Sequence, residues 1–486
     1  MTHIYLITPD KLGTISPNLY GVFAEHIGGV IYDGIWAPDT KDNVKGFRKA
    51  IIDKMKQAKI PLVRWPGGCF AEIYDWRDGI GPREDRPVRI NWWMKNDGRY
   101  EPNEVGTDEF MQFCELVNAE PYIAANITST TPLNIRDWVD YCNSPAGTTT
   151  MAKLREKNGH KEPYNVKLWG VGNETWGGGG YMTPEYYAME YRRYSQVMSN
   201  ASKGLQLISS GANAADYSWT RRMMNEIGQP NMSGMSFHYY CGATGTATEY
   251  SDAQWYELLA KAARMEELIE KHWAGVVAYG MENKGKLCID EWGCWHPGGS
   301  GPSKGFNLFE QQSTMRDAVV SALTLNLFNN HCDKILLATV AQLVNNLHCL
   351  FLSGGENCIT TPTYHVFDMF KGHHGGEAIR TVTDCGTTEN GLRELSVSAS
   401  VKDGVMTITA ANLSADHDIT ASLVPTGCTL ADEAEIVILG DGDIRAYNTF
   451  EDPERVAPAG TSGAFDGTIT IPRGGIAAVT VKIRED

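Results

Sequence analysis

Leu168-Trp-Gly-Val-Gly-Asn-Glu174 is an apolar run of strand length, punctuated by glycine and closed by a carboxylate. A run that is apolar at every position reads as a strand buried on both faces, as parallel sheets require. Leu287-Cys-Ile-Asp-Glu291-Trp repeats the pattern. Six further runs share its strand character: Leu19-Tyr-Gly-Val-Phe, Pro61-Leu-Val-Arg-Trp, Pro121-Tyr-Ile-Ala-Ala, Leu205-Gln-Leu-Ile-Ser, Met235-Ser-Phe-His-Tyr and Ile335-Leu-Leu-Ala-Thr-Val. Segments of helical period separate most of them. Val44, Phe47, Ile51, Met55 and Ala58 follow the spacing of one apolar helix face, as do Trp255, Leu258, Ala262, Met265 and Ile269, and Met315, Val319, Ala322 and Leu325. Eight strands alternating with helices predict an α/β chain folded as a (β/α)8 TIM barrel. A doubly wound open sheet competes, but no GxGxxG follows a first strand and no Walker-type loop occurs.

From about Arg380 the texture changes. Leu395-Ser-Val-Ser-Ala-Ser-Val401 alternates at period two, and Asp403-Gly404 is a tight-hairpin pair leading into Val405-Met-Thr-Ile-Thr. Gly467-Thr-Ile-Thr-Ile and Ala478-Val-Thr-Val-Lys-Ile483 continue the alternation. This predicts a C-terminal antiparallel β-sandwich over 376–486 after a catalytic barrel over 16–375. Within 1–15, His3 to Ile7 reads as a lone strand expected to join that sandwich.

The 486 residues suffice for a barrel with an appendage. Formal net charge is 43 − 59 = −16, which argues against nucleic acid or an anionic membrane surface as partner and suits a neutral ligand. The N-terminal stretch has no basic region followed by an apolar core, and no apolar run is long enough to span a bilayer. Eleven cysteines, odd in number and scattered without a CxxC pair, predict free thiols in a reducing cytoplasm. Thirteen Trp and twenty-one Tyr supply flat apolar faces, mostly for the core but also suited to a sugar's C–H surfaces.

Notable polar residues recur at strand exits, the rim where α/β barrels place their chemistry. They are Glu25 and His26 after the first strand, Arg64 to Cys69 after the second, Asn126 after the third, and Asn173 and Glu174 after the fourth. His238 and Tyr240 follow at the sixth, Glu291 to Trp295 at the seventh, and Gln342 at the eighth. Two carboxylates on different strands can face one bond, as glycosidic cleavage requires: one protonates the leaving oxygen, the other attacks or activates water. The acid must hold its proton near neutral pH, and the nucleophile must stay ionised among donors, for which Arg64, Asn173 and Tyr240 are candidates. The glycine clusters Trp65-Pro-Gly-Gly68 and Gly177-Gly-Gly-Gly180 lack the Lys-Ser/Thr of a phosphate cradle and read as tight loops. His373-His374 has no Cys or carboxylate at ligand spacing and reads as a surface turn. No metal or other cofactor is expected. Trp92-Trp93 fits either a sugar platform or core packing.

Longer stretches around these residues carry a family resemblance. They are Ser16-Pro-Asn-Leu-Tyr-Gly-Val-Phe-Ala-Glu-His-Ile-Gly, Arg64-Trp-Pro-Gly-Gly-Cys-Phe, Asp75-Trp-Arg-Asp-Gly-Ile-Gly-Pro, Gly106-Thr-Asp-Glu-Phe and Trp138-Val-Asp-Tyr-Cys-Asn. Gly170-Val-Gly-Asn-Glu-Thr-Trp-Gly, Asp290-Glu-Trp-Gly, Ala341-Gln-Leu-Val-Asn and Thr361-Pro-Thr-Tyr-His-Val-Phe complete the series. Over nearly its whole length the chain resembles the α-L-arabinofuranosidases of glycoside hydrolase family 51.

That resemblance implies an exo-acting, retaining enzyme that trims arabinofuranose from arabinoxylan- or arabinan-derived oligosaccharides. Glu174 would be the general acid/base and Glu291 the nucleophile. Glu25 would accept from sugar hydroxyls, Asn173 would hold the 2-hydroxyl, and His238 and Tyr240 would support the nucleophile. Gln342 would line the subsite and Trp295 would pack on the furanose, with Arg64 in support. Cys69 stands where many relatives carry Asn, and a thiol is the weaker donor. The resemblance also implies a cytoplasmic homo-oligomer, often a hexamer. Two other readings compete: a retaining endo-β-glucanase or β-xylosidase on the same barrel, and a non-catalytic sugar-binding protein.

Overall fold

The computed structural model describes residues 2–94, 98–228, 231–242 and 244–485. Eight strands run Gly21–Phe23, Leu62–Trp65, Glu120–Ala125, Leu168–Val171, Gln206–Asn213, Gly234–Gly242, Lys286–Trp295 and Ile335–Ala341. They pair in that order, each parallel to the next, and the eighth closes on the first. Leu62, Tyr122, Leu168, Ile208, Cys288 and Leu337 fill the barrel's interior as one small cluster. A larger core joins the strands' outer faces to the surrounding helices. The predicted TIM barrel is therefore present, and its strands are buried along most of their length because both faces are covered.

Helical periodicity is misleading at one place. Val44 and Phe47 lie in a two-stranded ribbon, Asn43–Val44 with Phe47–Arg48, and the helix runs only from Lys49 to Gln57. Lys45 and Gly46 adopt positive φ (56° and 92°), which forms a tight turn and stops the helix from extending backward. The helix Met315–Asn330 is buried on nearly every face because it lies between barrel and C-terminal sheet. Its Asn326, Asn329 and Asn330 bond to strand Leu395–Lys402.

That sheet has nine strands and curls around a core of its own. It is antiparallel except at one pair. The N-terminal strand Thr2–Thr14 inserts between Glu377–Thr383, antiparallel, and Ile419–Thr426, parallel. The first residues of the chain thus clasp its last segment. No helix among the described residues is long and apolar enough to cross a membrane. All eleven cysteines are free thiols.

His373, expected on a surface turn, is instead fully buried under the sheet. Its two ring nitrogens meet the hydroxyls of Ser400 (2.8 Å) and Thr409 (3.0 Å), which satisfy a polar ring that local sequence presents as a loop. Burial pushes His373 down to about 3, and pushes His272, His348 and His365 down to about 4. Lowered folded values mean that the unfolded chain binds more protons below pH 6.5. The stability these four histidines contribute is expected to be full above pH 6.5 and to be lost as pH drops toward about 4. A melting-temperature series across that window tests this, and a flat series would refute it.

Candidate active site

The two glutamates of the opening motifs meet at the barrel mouth. One oxygen of Glu174, one oxygen of Glu291 and a ring nitrogen of His238 lie within 4.8 Å of one another. Arg64 Nη1 donates to Glu291 Oε1 at 2.9 Å and the Tyr240 hydroxyl to Glu291 Oε2 at 2.7 Å. Glu174 has different neighbours: His238 Nδ1 at 2.8 Å from Oε1, and the Cys69 thiol, donating to Oε2 at 3.4 Å. Its side chain keeps 17 % of its exposure against 7 % for Glu291, so Glu174 faces the opening and Glu291 sits deeper.

Asp290 completes the cluster from below. It receives the Tyr122 hydroxyl at 2.7 Å and pairs with His238 Nε2 at 3.0 Å. Arg64 ties the floor together, donating through Nη2 to Asn173 Oδ1 (2.5 Å) and lying 3.6 Å from Asp290 through Nε. Asp290 and Glu291 are consecutive, so a regular strand would send them to opposite faces. The seventh strand shifts register between Cys288 and Glu291 against one neighbour and between Ile289 and Trp292 against the other. This irregularity lets both carboxylates serve the same rim.

Charge within the cluster is divided by these contacts. Burial would raise Asp290, but Arg64 and His238 overcome it and hold the carboxyl down at about 2. Burial disfavours the His238 cation, yet Glu291, Asp290 and Glu174 lift it to about 10. Burial likewise opposes ionised Glu174, and the His238 hydrogen bond and charge outweigh it, moving Glu174 down. Glu291 moves up, through burial and the Glu174 charge. Both shifts favour the proton on the His238 side of the His238–Glu174 hydrogen bond.

Glu25 forms the adjacent wall. Its Oε1 accepts from the Phe70 backbone N–H and the Trp93 indole, both at 2.9 Å, and Gln342 Nε2 donates to Oε2 at 3.3 Å. Burial, and then the Glu291 charge, push it up to about 7. The Trp65-Pro-Gly-Gly68 motif exists to admit this carboxylate: a Cβ at Gly68 would lie 2.6 Å from Glu25 Oε2. Trp295 packs edge-on against Tyr240 (5.1 Å) and Phe309 (4.8 Å), and Phe309 reaches Trp93 (6.0 Å), giving the cavity an aromatic rim.

The tetraglycine loop holds Glu174. Glu174 adopts φ +42°, a left-handed conformation that costs on the order of 1 kcal/mol in a residue with a side chain. Its carbonyl accepts from Gly177 N (2.8 Å) and Gly179 N (3.1 Å). A Cβ at Gly179 would lie 1.6 Å from the Asn173 carbonyl oxygen, whereas one at Gly177 meets nothing closer than 3.9 Å. Gly179→Ala must therefore move the Asn173–Glu174 peptide. It is expected to lower kcat/KM by about 10²-fold, the cost of misplacing a reacting group by roughly 1 Å. Gly177→Ala is expected to stay near wild type, and equal effects of the two in steady-state assays would refute the account.

Arg64, Cys69, Asn173, Glu174, His238, Tyr240 and Glu291 join one hydrogen-bonded network, Glu25 and Gln342 bond to each other on the adjacent wall, and Trp295 stands at the edge. His26 and Asn126 do not join them. His26 is buried between Glu101 and the Trp65 indole, and Asn126 secures its own loop through Tyr74 and Ser129. Sequence reasoning missed Asp290, Tyr122, Phe309 and Glu72. Glu72 accepts from the backbone N–H groups of Asn173, Ile127 and Thr128, joining the loops after the third and fourth strands. Asp290 stands inside a quoted motif, but regular strand alternation would turn it to the face opposite Glu291. Glu72 carries no local signal at all.

Potential metal donors gather at three places among the described residues. At Glu174, His238 and Glu291, both ring nitrogens of His238 are engaged by carboxylates and the Arg64 cation abuts Glu291. At Cys294, Asp317 and His348, His348 Nδ1 accepts from Cys294 N, Nε2 meets Ser321, and Asp317 caps the helix at Thr314. The third set, Glu266, Glu270 and His331, lies at the surface. In the two buried sets the donors are already committed to protein partners.

Comparison with known proteins agrees with the geometry. A model of the α-L-arabinofuranosidase 1 domain matches residues 54–257, which hold Glu174, and one of the α-L-arabinofuranosidase C-terminal domain matches 290–473, which hold Glu291. An intracellular exo-α-L-arabinofuranosidase of Bacteroides ovatus is 40 % identical over 464 residues, covering 92 % of this chain and 88 % of that one. The crystal structure of the GH51 arabinofuranosidase from Xanthomonas axonopodis pv. citri superposes with a TM-score of 0.92 at 34 % identity, over 99 % of this chain and 100 % of the other. The α-L-arabinofuranosidase of Thermotoga maritima, solved as an arabinose complex, gives 0.89 at 28 % identity with the same coverage.

Proposed function

Because this chain belongs to the α-L-arabinofuranosidases of glycoside hydrolase family 51, we propose that it is a retaining, exo-acting enzyme. In this reading it releases terminal L-arabinofuranose from arabinoxylan- or arabinan-derived oligosaccharides. The observation that carries the reading is the approach of Glu174 and Glu291 oxygens to within 4.8 Å. Carboxyl groups about 5–5.5 Å apart leave no room for a water between them, so one must attack directly; an inverting pair stands about 6.5–9.5 Å apart.

The partners divide the roles. Glu291, with Arg64 and Tyr240 donating to it, is the nucleophile: two strong donors stabilise the carboxylate it must present. Glu174 is the acid/base, more open to the leaving oxygen and then to water. Its proton is supplied across the 2.8 Å bond from His238, whose Nε2–H stays on Asp290 as the ring becomes neutral. Glu291 attacks the anomeric carbon as Glu174 protonates the departing oxygen. Glu174 then takes a proton from the water that breaks the glycosyl–enzyme ester. Asn173, Glu25 and Gln342 bind the sugar's hydroxyls, and Trp295 covers its apolar face.

Turnover of p-nitrophenyl α-L-arabinofuranoside in methanol–water, followed by NMR, tests the stereochemistry. Methyl α-L-arabinofuranoside as first product is expected, and the β anomer would overturn the retaining assignment. An oligosaccharide panel read by chromatography tests exo-action: arabinose alone should appear, with shortened or debranched acceptors. We further place the enzyme in the cytoplasm as a homo-oligomer, a hexamer. The free thiols and the intracellular Bacteroides relative support the location, and family resemblance supports the assembly. Cell fractionation and light scattering test the two.

A further inference from the structure

Cys69 opens the short helical turn Cys69–Ile73 directly after Gly68, and its sulfur lies between the two residues that close the fourth barrel strand's loop. The thiol donates to Glu174 Oε2 at 3.4 Å and receives Asn173 Nδ2 at 3.8 Å. A Cβ at Gly178 would come within 2.8 Å of the sulfur, so the tetraglycine loop is shaped around it. Glu174 thus holds one strong donor, His238, and one weak one. Glu291 holds two strong donors, Arg64 and Tyr240.

We propose that Cys69 is a positioning residue for Glu174, whose weak S–H donor fixes the carboxyl against the tetraglycine loop without tying up its proton affinity. The inference deepens the acid/base assignment of Glu174 and rests on it. A donor to a carboxylate stabilises the charged form and lowers its proton affinity in proportion to its strength. A hydroxyl or amide at position 69 would donate more strongly than a thiol and make Glu174 a poorer acid. Burial and the charges of Glu174, Glu25 and Glu291 raise the thiol far above its ordinary range, so it remains S–H and acts only as a donor there. The other groups facing Glu174 are His238 and Tyr240 from the sixth strand, Arg64 from the second and Glu291 from the seventh. Asp290 stands behind His238. None of them changes when residue 69 is replaced.

The test compares Cys69→Ala, Cys69→Ser and wild type, with kcat/KM measured against pH on an unactivated arabino-oligosaccharide. The alkaline limb reports loss of the proton that the His238–Glu174 pair holds in the free enzyme, and a stronger donor to Glu174 weakens the pair's hold on it. It is expected to shift upward by about 0.5 pH unit in Cys69→Ala and downward by a similar amount in Cys69→Ser, the order set by donor strength. On p-nitrophenyl α-L-arabinofuranoside, whose leaving group needs little protonation, all three should agree within about threefold in kcat/KM. Limbs that coincide, or equal losses on both substrates through KM, would overturn the inference and leave Cys69 a sugar contact. Glu174→Ala, run on the same two substrates, separates the alternatives. If it too lacks selectivity for the unactivated substrate, the acid/base assignment has failed. If it shows that selectivity while the limbs coincide, only the role of Cys69 has failed.

Discussion

Glu291→Ala is expected to lower kcat/KM on p-nitrophenyl α-L-arabinofuranoside by ~10⁴-fold or more, the scale on which removing a covalent nucleophile disables its whole catalytic unit. At about 1.36 kcal/mol per decade this is a loss of roughly 5.4 kcal/mol of transition-state stabilisation. A good leaving group cannot compensate, because no bond to the anomeric carbon replaces the one lost. The fold should survive. Arg64 keeps Asp290, at 3.6 Å from its Nε and 3.3 Å from Nη1 to the Asp290 carbonyl, so the buried cation is not orphaned. A melting temperature close to wild type with residual activity within tenfold of it would remove Glu291 from the nucleophile's role. Added azide should instead rescue the variant, entering the space vacated by the carboxylate and giving the inverted glycosyl azide.

Glu174→Ala carries the second large effect, and its pattern is more informative than its size. Losing a general acid/base costs about 10²–10⁴-fold. The loss should fall in kcat/KM on unactivated oligosaccharides and nearly disappear in kcat/KM on the aryl substrate, where the leaving group departs unaided. On the aryl substrate the glycosyl–enzyme should accumulate, because its hydrolysis needs the base. The alkaline limb of the pH profile should vanish with the residue that delivers the proton to the leaving group. His238 would lose its 2.8 Å partner but keep Asp290 at 3.0 Å, so the barrel floor should hold. A uniform loss across leaving groups would mean that Glu174 binds substrate without handling its proton.

The two glutamates share a barrel mouth and a few ångströms of space, yet their environments differ in ways that suit different tasks. Glu291 is deeper and held by a guanidinium and a phenol. Glu174 is more open, strained at φ +42°, and held by an imidazole and a thiol. His238 depresses Glu174 and burial elevates Glu291, the reverse of what catalysis needs. Passing one proton from His238 Nδ1 to Glu174 gives the acid its proton without changing the charge of the cluster. It removes both the His238 cation that lowers Glu291 and the Glu174 anion that raises it, and leaves Arg64 and Tyr240 to hold the nucleophile ionised.

Local order along the chain was enough for the barrel. Eight doubly apolar runs separated by helical segments can bury both faces of each strand in few other ways, and each run's polar terminus falls on one rim by topology alone. Glu174, Glu291, Arg64, His238 and Tyr240 were legible for that reason. Periodicity, being local, could not say that Asp290 turns to the same rim as Glu291. That depends on register shifts against two neighbouring strands, which exist only once the barrel closes. Nor could it show Glu72 bridging two loops, His373 buried between two hydroxyls, or Thr2–Thr14 pairing with residues near the other end of the chain. A buried polar group takes whatever partner the folded chain places within about 3 Å, and that partner's distance in sequence is unconstrained. Strand and helix identity follow from neighbours in the chain; proton position and carboxylate role follow from neighbours in space.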